Sequence, residues 1–258
     1  MELLIEKHLQ RLIHDRNGWS ELRLQLLELS HRWQWWVAVL QTKKLPPSIA
    51  LPYPKIDFID HFSDSSPPMK MIKSCLDGFY DVRFDDFLDW ILYRCGDPQT
   101  KELPRNLKQK HVDHWTELFD LKMLLEHPGD WLGHYYEQNV VSRSGRKGMG
   151  FFTTPMNLCT MICQMLLTEK DLLAEVSEPC VGTGRFLLAA SNYCLHLSGQ
   201  DINQTVIKIC KINGWLYIPS LVMPCREIEK SRAIELPKEN LSWTPENKIE
   251  RRQLSLTP

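Results

Sequence analysis

Residues 178–186 read Glu-Pro-Cys-Val-Gly-Thr-Gly-Arg-Phe, and this stretch decides how the rest of the chain is interpreted. It follows an apolar, strand-like segment at 172–176 and precedes a helical pattern that ends near residue 190. Glycines at a strand-to-helix turn let the backbone approach a ligand, and the helix behind them offers N–H groups without intrahelical partners. The stretch therefore predicts a ligand-binding turn, although its glycines also suit a turn that holds no ligand.

The segments around this turn alternate between helical and strand-like patterns. An apolar helix is predicted at about 156–168, a second strand at 195–199 and another helix at about 204–213. Such alternation is typical of an α/β fold with a parallel sheet. We therefore predict an α/β domain over residues 148–225.

The turn departs from a dinucleotide fingerprint in one informative place. That fingerprint is Gly-x-Gly-x-x-Gly, and Leu187 stands where its third glycine would be, which disfavours a tight pyrophosphate cradle. Asp201 follows the second strand, where an acid is well placed to accept hydrogen bonds from ribose hydroxyls. The combination favours a nucleoside without a pyrophosphate, of which S-adenosylmethionine is the common one. The alternative is that Asp201 merely caps the next helix.

The chain before residue 148 is predicted to be mostly helical. We expect N-terminal helices over 1–45, a proline-rich linker over 46–68 and a helical domain over 69–147. The tryptophans at the end of the first unit, Trp33, Trp35 and Trp36, are expected to pack within the helical part. Asp130 is predicted to cap the helix that begins at Trp131, and residues 226–258 are predicted to form a charged tail.

Composition narrows the class of protein. The 258 residues have a net charge of -1 and are 43% hydrophobic, as in globular proteins with a core. Neither a membrane span nor a secretory signal is recognisable, so we expect a cytoplasmic protein. Eight scattered cysteines without a Cys-x-x-Cys pair favour free thiols over a disulfide framework. Cys159 and Cys163 share a helical face, but no His/Cys pair at zinc spacing accompanies them, so we predict no metal.

Four segments, in order, resemble motifs of adenine-N6 DNA methyltransferases, most closely the modification subunits of type I restriction–modification systems. Residues 130–137 resemble the last helix of that family's helical domain, and residues 150–155 resemble its Phe/Tyr-x-Thr-Pro element. Residues 178–184 resemble its acidic-Pro-x-x-Gly-x-Gly motif, and residues 199–203 resemble its adenosyl-binding motif. The resemblance covers about 70–215. It implies a partial Rossmann-like S-adenosylmethionine methyltransferase sheet preceded by an α-helical region.

The resemblance also implies roles in binding S-adenosyl-L-methionine. The segment 152–155 would hold the methionine moiety, and the turn at 178–184 would lie beside it. Asp201 would contact the ribose hydroxyls, and Ile202 would contact the adenine. The implied cofactor-binding residues are Phe152, Thr153, Thr154, Pro155, Glu178, Gly182, Thr183, Gly184, Asp201 and Ile202. Phe151 and Phe152 also suit a plain hydrophobic core.

The family's catalytic motif, Asn/Asp/Ser-Pro-Pro-aromatic, does not follow the turn. In that motif a polar side chain and a carbonyl bind the amine of a flipped adenine, and the aromatic ring stacks on the base. Ser66-Pro67-Pro68-Met69 lacks the aromatic residue and precedes the whole cofactor site, so we predict no catalytic residue here. The residues after Asp201 are too few for the remaining strands of a seven-stranded sheet. We expect the sheet to be covered by a second polypeptide, a second copy or the helical region.

Two functions remain open at this stage. The chain is either the cofactor-binding part of an adenine-N6 DNA methyltransferase that is not catalytic alone, or a non-catalytic, degenerate module that binds DNA or a partner protein. An unrelated nucleoside-binding α/β protein is a third, weaker hypothesis. The basic segments at 143–147 and 101–110 suit contact with DNA phosphates, and they equally suit solvated loops.

Overall fold

The computed structural model describes residues 20–46, 52–79, 81–142, 153–225 and 228. The helices before residue 143 are α1 (Glu21–Leu29), α2 (His31–Thr42), α3 (Pro67–Leu76), α4 (Phe84–Cys95), α5 (Gln109–Leu118), α6 (Leu121–Glu126) and α7 (Trp131–Tyr135), which continues as a π-helix over Tyr136–Val141. The later elements are α8 (Met156–Leu166), a 3-10 turn (Glu169–Asp171), β1 (Glu175–Glu178), α9 (Arg185–Ala190), β2 (His196–Gly199), α10 (Gln204–Tyr217) and α11 (Pro219–Val222). Most of the predicted tail and the first part of the predicted N-terminal helices lie outside the described residues.

Strands β1 and β2 form a parallel pair, in register from Glu175 opposite His196 to Glu178 opposite Gly199. Helix α9 lies between them in the chain, so the predicted alternation of strand, helix and strand is confirmed. The described residues show this pair and no larger Rossmann-like sheet.

Several element boundaries differ from the prediction for local reasons. Strand β1 begins at Glu175 rather than residue 172, because Leu172 and Leu173 pack against the Trp35–Trp36 cluster instead. The predicted helical stretch at 69–95 is divided into α3 and α4. Gly78 lies between these two helices with a φ of 82°, a conformation that ends a helix.

The predicted tryptophan cluster is buried, but it does not pack only among the N-terminal helices. Trp33 stacks on Trp215 of α10, with ring centroids 5.6 Å apart, and its indole N–H donates to the Trp215 carbonyl at 2.6 Å. The Trp36 indole N–H donates to the Met223 carbonyl at 2.8 Å. One hydrophobic core therefore joins the helices to the segment that carries the strands.

The described part of the proline-rich linker is irregular, as predicted, but it is fixed to the helices. The Asn192 side chain accepts a hydrogen bond from the Ile56 N–H and donates one to the Ile56 carbonyl, both at 2.9 Å. The Phe62 ring meets Trp131 edge-on at 4.9 Å. Pro67 and Pro68 occupy the first turn of α3, where a missing N–H leaves no helical bond unmade. The division of the chain into domains stays a prediction.

All eight cysteines are free thiols, as predicted; seven are buried and Cys180 is exposed. Within the described ranges, no helix combines the length and apolar character that a membrane span needs. In the same part of the chain, no cluster of His, Cys, Asp and Glu side chains is arranged to hold a metal ion.

Candidate functional site

The glycine turn connects β1 to α9, and two residues with positive φ shape it. Gly182 has a φ of 52° and Gly184 a φ of 90°, values that other L residues rarely adopt. A Cβ at Gly182 would meet nothing within 4 Å, whereas a Cβ at Gly184 would lie 2.8 Å from Sγ of Cys210. Gly182 therefore borders open space, while Gly184 is required for packing against α10.

The carboxylate of Asp201 fastens the tip of β2 to this turn. Its Oδ2 accepts the Gly182 N–H at 3.0 Å, and its Oδ1 accepts the Asn203 N–H at 2.9 Å. The side chain that caps α10 is Asn203, which accepts the Thr205 N–H at 3.0 Å. Asp201 is thus not the cap of α10, and each of its oxygens keeps a lone pair for another donor. The neighbouring side chain, Ile202, is 100% exposed.

A cavity of about 250 Å³ lies between the turn and the segment that precedes α8, and we call it the turn cavity. Its lining includes the predicted site residues Thr153, Thr154, Glu178, Gly182 and Thr183, together with Ile162, Cys180, Val181, Arg185 and Phe186. The predicted residues Pro155, Gly184, Asp201 and Ile202 do not line it, and Phe152 lies outside the described residues. A second cavity of about 280 Å³, which includes Leu187 and Cys210, contains none of the predicted site residues.

A fully buried carboxylate, Asp130, joins three elements to the turn. Its Oδ2 accepts hydrogen bonds from Oγ1 of Thr183 at 2.6 Å and from Nε of Arg185 at 2.7 Å. Its Oδ1 accepts from Nδ2 of Asn213 at 2.9 Å and from the Gly133 N–H at 3.1 Å. The Gly133 contact confirms the predicted cap of α7. The other contacts join residues 53 to 83 positions apart and were not predicted.

Arg185 is the functional candidate that sequence reasoning missed. It carries the only positive charge among the described residues that line the turn cavity, and it is 8% exposed. Its Nη1 donates to the Thr154 carbonyl at 3.5 Å, but Nη2 makes no hydrogen bond to any described residue. Oε2 of Glu137 lies 3.9 Å from Nη2 and accepts the Thr153 hydroxyl at 2.6 Å. The only signal for Arg185 in the sequence is its position directly after Gly184.

Burial shifts the pKa of three titratable side chains near the turn toward their uncharged forms. It raises the pKa of the Cys159 thiol to about 11 and that of the Cys210 thiol to about 12. Burial, followed by the nearby Arg185 guanidinium, lowers the pKa of His134. Among the residues that the structure describes, one guanidinium and several carboxylates surround the turn, an arrangement that favours a ligand with a net positive charge.

In a comparison with known protein families, one segment of the chain matches a family model. Residues 127–229 match the family model described as N-6 DNA Methylase, which confirms the resemblance at the level of the family. The matched range includes Asp130, the turn, both strands and the described part of the segment before α8. No curated protein and no solved structure matches the chain.

Proposed function

We propose, from the match of residues 127–229 to the N-6 DNA methylase family model, that this chain binds S-adenosylmethionine as part of an adenine-N6 DNA methyltransferase. Members of that family use this cofactor, which supplies the methyl group when bound. The observation that carries the proposal is the turn cavity, where Thr153 and Thr154 face Glu178, Gly182 and Thr183 inside the matched range. We further propose that the chain does not transfer the methyl group by itself.

The residues present fit this ligand. S-adenosylmethionine carries a sulfonium, an ammonium and a carboxylate, and its net positive charge suits the described surroundings of the turn, where Glu137, Glu178 and Asp201 accompany a single guanidinium. The turn cavity, at about 250 Å³, is smaller than the roughly 300–1,000 Å³ of most ligand sites. We therefore assign it to the amino-acid end of the ligand alone, where the open space beside Gly182 lets the backbone approach.

The nucleoside end is assigned to the tip of β2. The free lone pairs of Asp201 suit the two ribose hydroxyls, since the carboxylate already has a fixed orientation through its bonds to Gly182 and Asn203. The exposed Ile202 offers apolar surface to the adenine ring. Covering an isoleucine side chain contributes about 1.5–3 kcal/mol, so an exposed one beside the acid favours binding of a flat apolar group.

Titration calorimetry of the purified chain with S-adenosylmethionine tests this function directly. We expect saturable binding at micromolar to sub-millimolar ligand, and no heat over that range would refute the cofactor site. Asp201→Ala is expected to weaken binding about 10- to 100-fold, because it removes hydrogen bonds to a charged acceptor. Asp113→Ala, which removes an exposed carboxylate from α5, is the matched control and should bind like the wild type.

A non-catalytic module that binds DNA or a partner protein is the second candidate. One observation favours it: no Pro-Pro-aromatic sequence follows Asp201 in these 258 residues. Ser66-Pro67-Pro68 instead begins α3, which gives those prolines a structural role. Binding measurements with S-adenosylmethionine and with adenine-containing duplex DNA, alongside an assay for transfer of labelled methyl groups, separate the candidates. Cofactor binding without transfer supports the first, whereas DNA binding with no affinity for the cofactor supports the second.

A further inference from the structure

The guanidinium of Arg185 has one nitrogen whose bonding the protein does not complete. Nε is committed to Asp130 and Nη1 to the Thr154 carbonyl, while Nη2 is buried and makes no hydrogen bond to a described residue. Leaving a buried polar group unsatisfied is unfavourable, more so for a charged one, and such groups are rare in native proteins. Because Arg185 lines the turn cavity, its unsatisfied donor indicates an acceptor that enters this cavity.

Glu137 does not fill this role. Its Oε2 is 3.9 Å from Nη2, beyond hydrogen-bond distance, and it already accepts the Thr153 hydroxyl at 2.6 Å. The Thr153–Glu137 bond instead holds the segment before α8 beside the guanidinium. Arg185 therefore lies at the turn cavity with its guanidinium carbon 5.5 Å from the centre of the Phe62 ring, its Nε and Nη1 bonded to the protein, and its Nη2 left for a ligand.

The chemistry of the acceptor follows from the donor. A guanidinium recognises planar oxyanions through parallel N–H···O bonds, which Nη2 and the second N–H of Nη1 can provide here, and carboxylates match this geometry closely. We propose that Arg185 binds the carboxylate of the ligand's amino-acid end, an inference that rests on the proposed binding of S-adenosylmethionine. Arg185 then makes the site select nucleosides that carry a complete amino acid over those that lack the carboxylate.

Calorimetry tests this assignment through a thermodynamic cycle, in which the carboxylate is removed from the ligand and Arg185 is replaced in the protein, separately and together. The probes are S-adenosylmethionine and its decarboxylated form, which differ only in the carboxylate. In the wild type we expect the decarboxylated form to bind about 10- to 100-fold more weakly, the range for a charge-assisted contact. In Arg185→Met, S-adenosylmethionine should lose that factor, while the decarboxylated form should change less than about threefold. Arg185→Lys keeps the charge but not the fork and should give an intermediate preference.

Arg185 also pairs with Asp130, so each variant is first checked by thermal unfolding. Lys208→Met is the matched control, because it removes a partly buried cation paired with Asp85 and Asp89 that does not line the turn cavity. The carboxylate assignment would be overturned if the arginine variants lost equal affinity for both probes, or if the wild type bound both probes equally well. Either result would leave the proposed cofactor site intact. If Arg185→Met does not fold, the assignment is decided by the wild-type preference for S-adenosylmethionine over its decarboxylated form and by the same ratio in Arg185→Lys. Failure of the wild type to bind either probe would overturn the proposed function, and this assignment with it.

Discussion

Among single residues, Asp130 is the most consequential for stability. Asp130→Ala removes the carboxylate that is hydrogen-bonded to the largely buried Arg185 guanidinium and leaves the Thr183 hydroxyl without this acceptor. Removing one member of a buried ion pair costs about 3–5 kcal/mol. We expect a loss of that size in the free energy of unfolding, measured with urea. Asp120→Ala also removes a helix cap, but on an exposed residue, and should cost only about 1 kcal/mol. Similar losses in the two variants would contradict a special role for Asp130.

The two turn glycines are expected to respond differently to alanine. Gly184→Ala forces positive φ on alanine and drives its Cβ against Cys210, so it should lower the free energy of unfolding by about 3 kcal/mol. Gly182→Ala carries only the backbone penalty, about 1–2 kcal/mol, because its Cβ meets open space. Its main effect should be weaker cofactor binding. Thermal unfolding and calorimetry on both variants check this contrast. A larger loss of stability in Gly182→Ala than in Gly184→Ala would refute it.

The sequence identifies the residues whose role is local but not those whose role depends on distant partners. The glycines at 182 and 184 and the cap at Asp130 are recognisable because turn and cap chemistry acts within a few residues. Arg185 is not recognisable, because an arginine at the start of a helix is normally exposed. Its burial depends on Asp130, 55 positions away, and on the Thr154 carbonyl.

At the scale of elements, the linker is held mainly by side chains of other segments, together with a backbone bond from the Ile59 N–H to the Pro128 carbonyl at 2.9 Å. Asn192→Ala removes both bonds to Ile56 and one partner of the buried Arg32 guanidinium. We expect a loss of about 2–4 kcal/mol in the free energy of unfolding and faster proteolysis within residues 52–66. Asn139→Ala, which loses a single bond to the Tyr135 carbonyl, is the control and should be cut like the wild type. Unchanged cleavage in Asn192→Ala would show that the anchor is elsewhere.

Elements are predicted well where amphipathic periodicity acts alone and less well where tertiary contacts compete. Helix α8 starts at residue 156 as predicted, because its apolar face alone sets the pattern. Leu172 and Leu173 suit a strand by composition, yet they cover Trp35 and Trp36. An apolar run does not reveal whether its residues pair with a strand or pack against a distant helix.

At the scale of the whole molecule, the described residues form two hydrophobic clusters, the larger of which spans the helices and the strand pair, and this burial determines which thiols react. Burial raises the pKa of six cysteines, among them Cys75 to about 12 and Cys194 to about 11. At pH 8 the thiolate fraction of such a group is at or below about one in a thousand. Cys225 is buried as well, whereas Cys180 is exposed and lines the turn cavity. The fold therefore leaves one exposed thiol among the eight cysteines, and it lies at the proposed site.

Thiol titration with an aromatic disulfide reagent at pH 8 turns this distribution into a prediction about the whole molecule. The native chain should show one fast-reacting thiol, and all eight should react after denaturation. Cys180→Ser should abolish the fast phase, which identifies its source. Because Cys180 borders the turn cavity, saturating S-adenosylmethionine should slow the reaction in the wild type. Several fast thiols in the native chain would contradict the packing of the core, whereas a single fast thiol that the ligand does not protect would place the cofactor elsewhere.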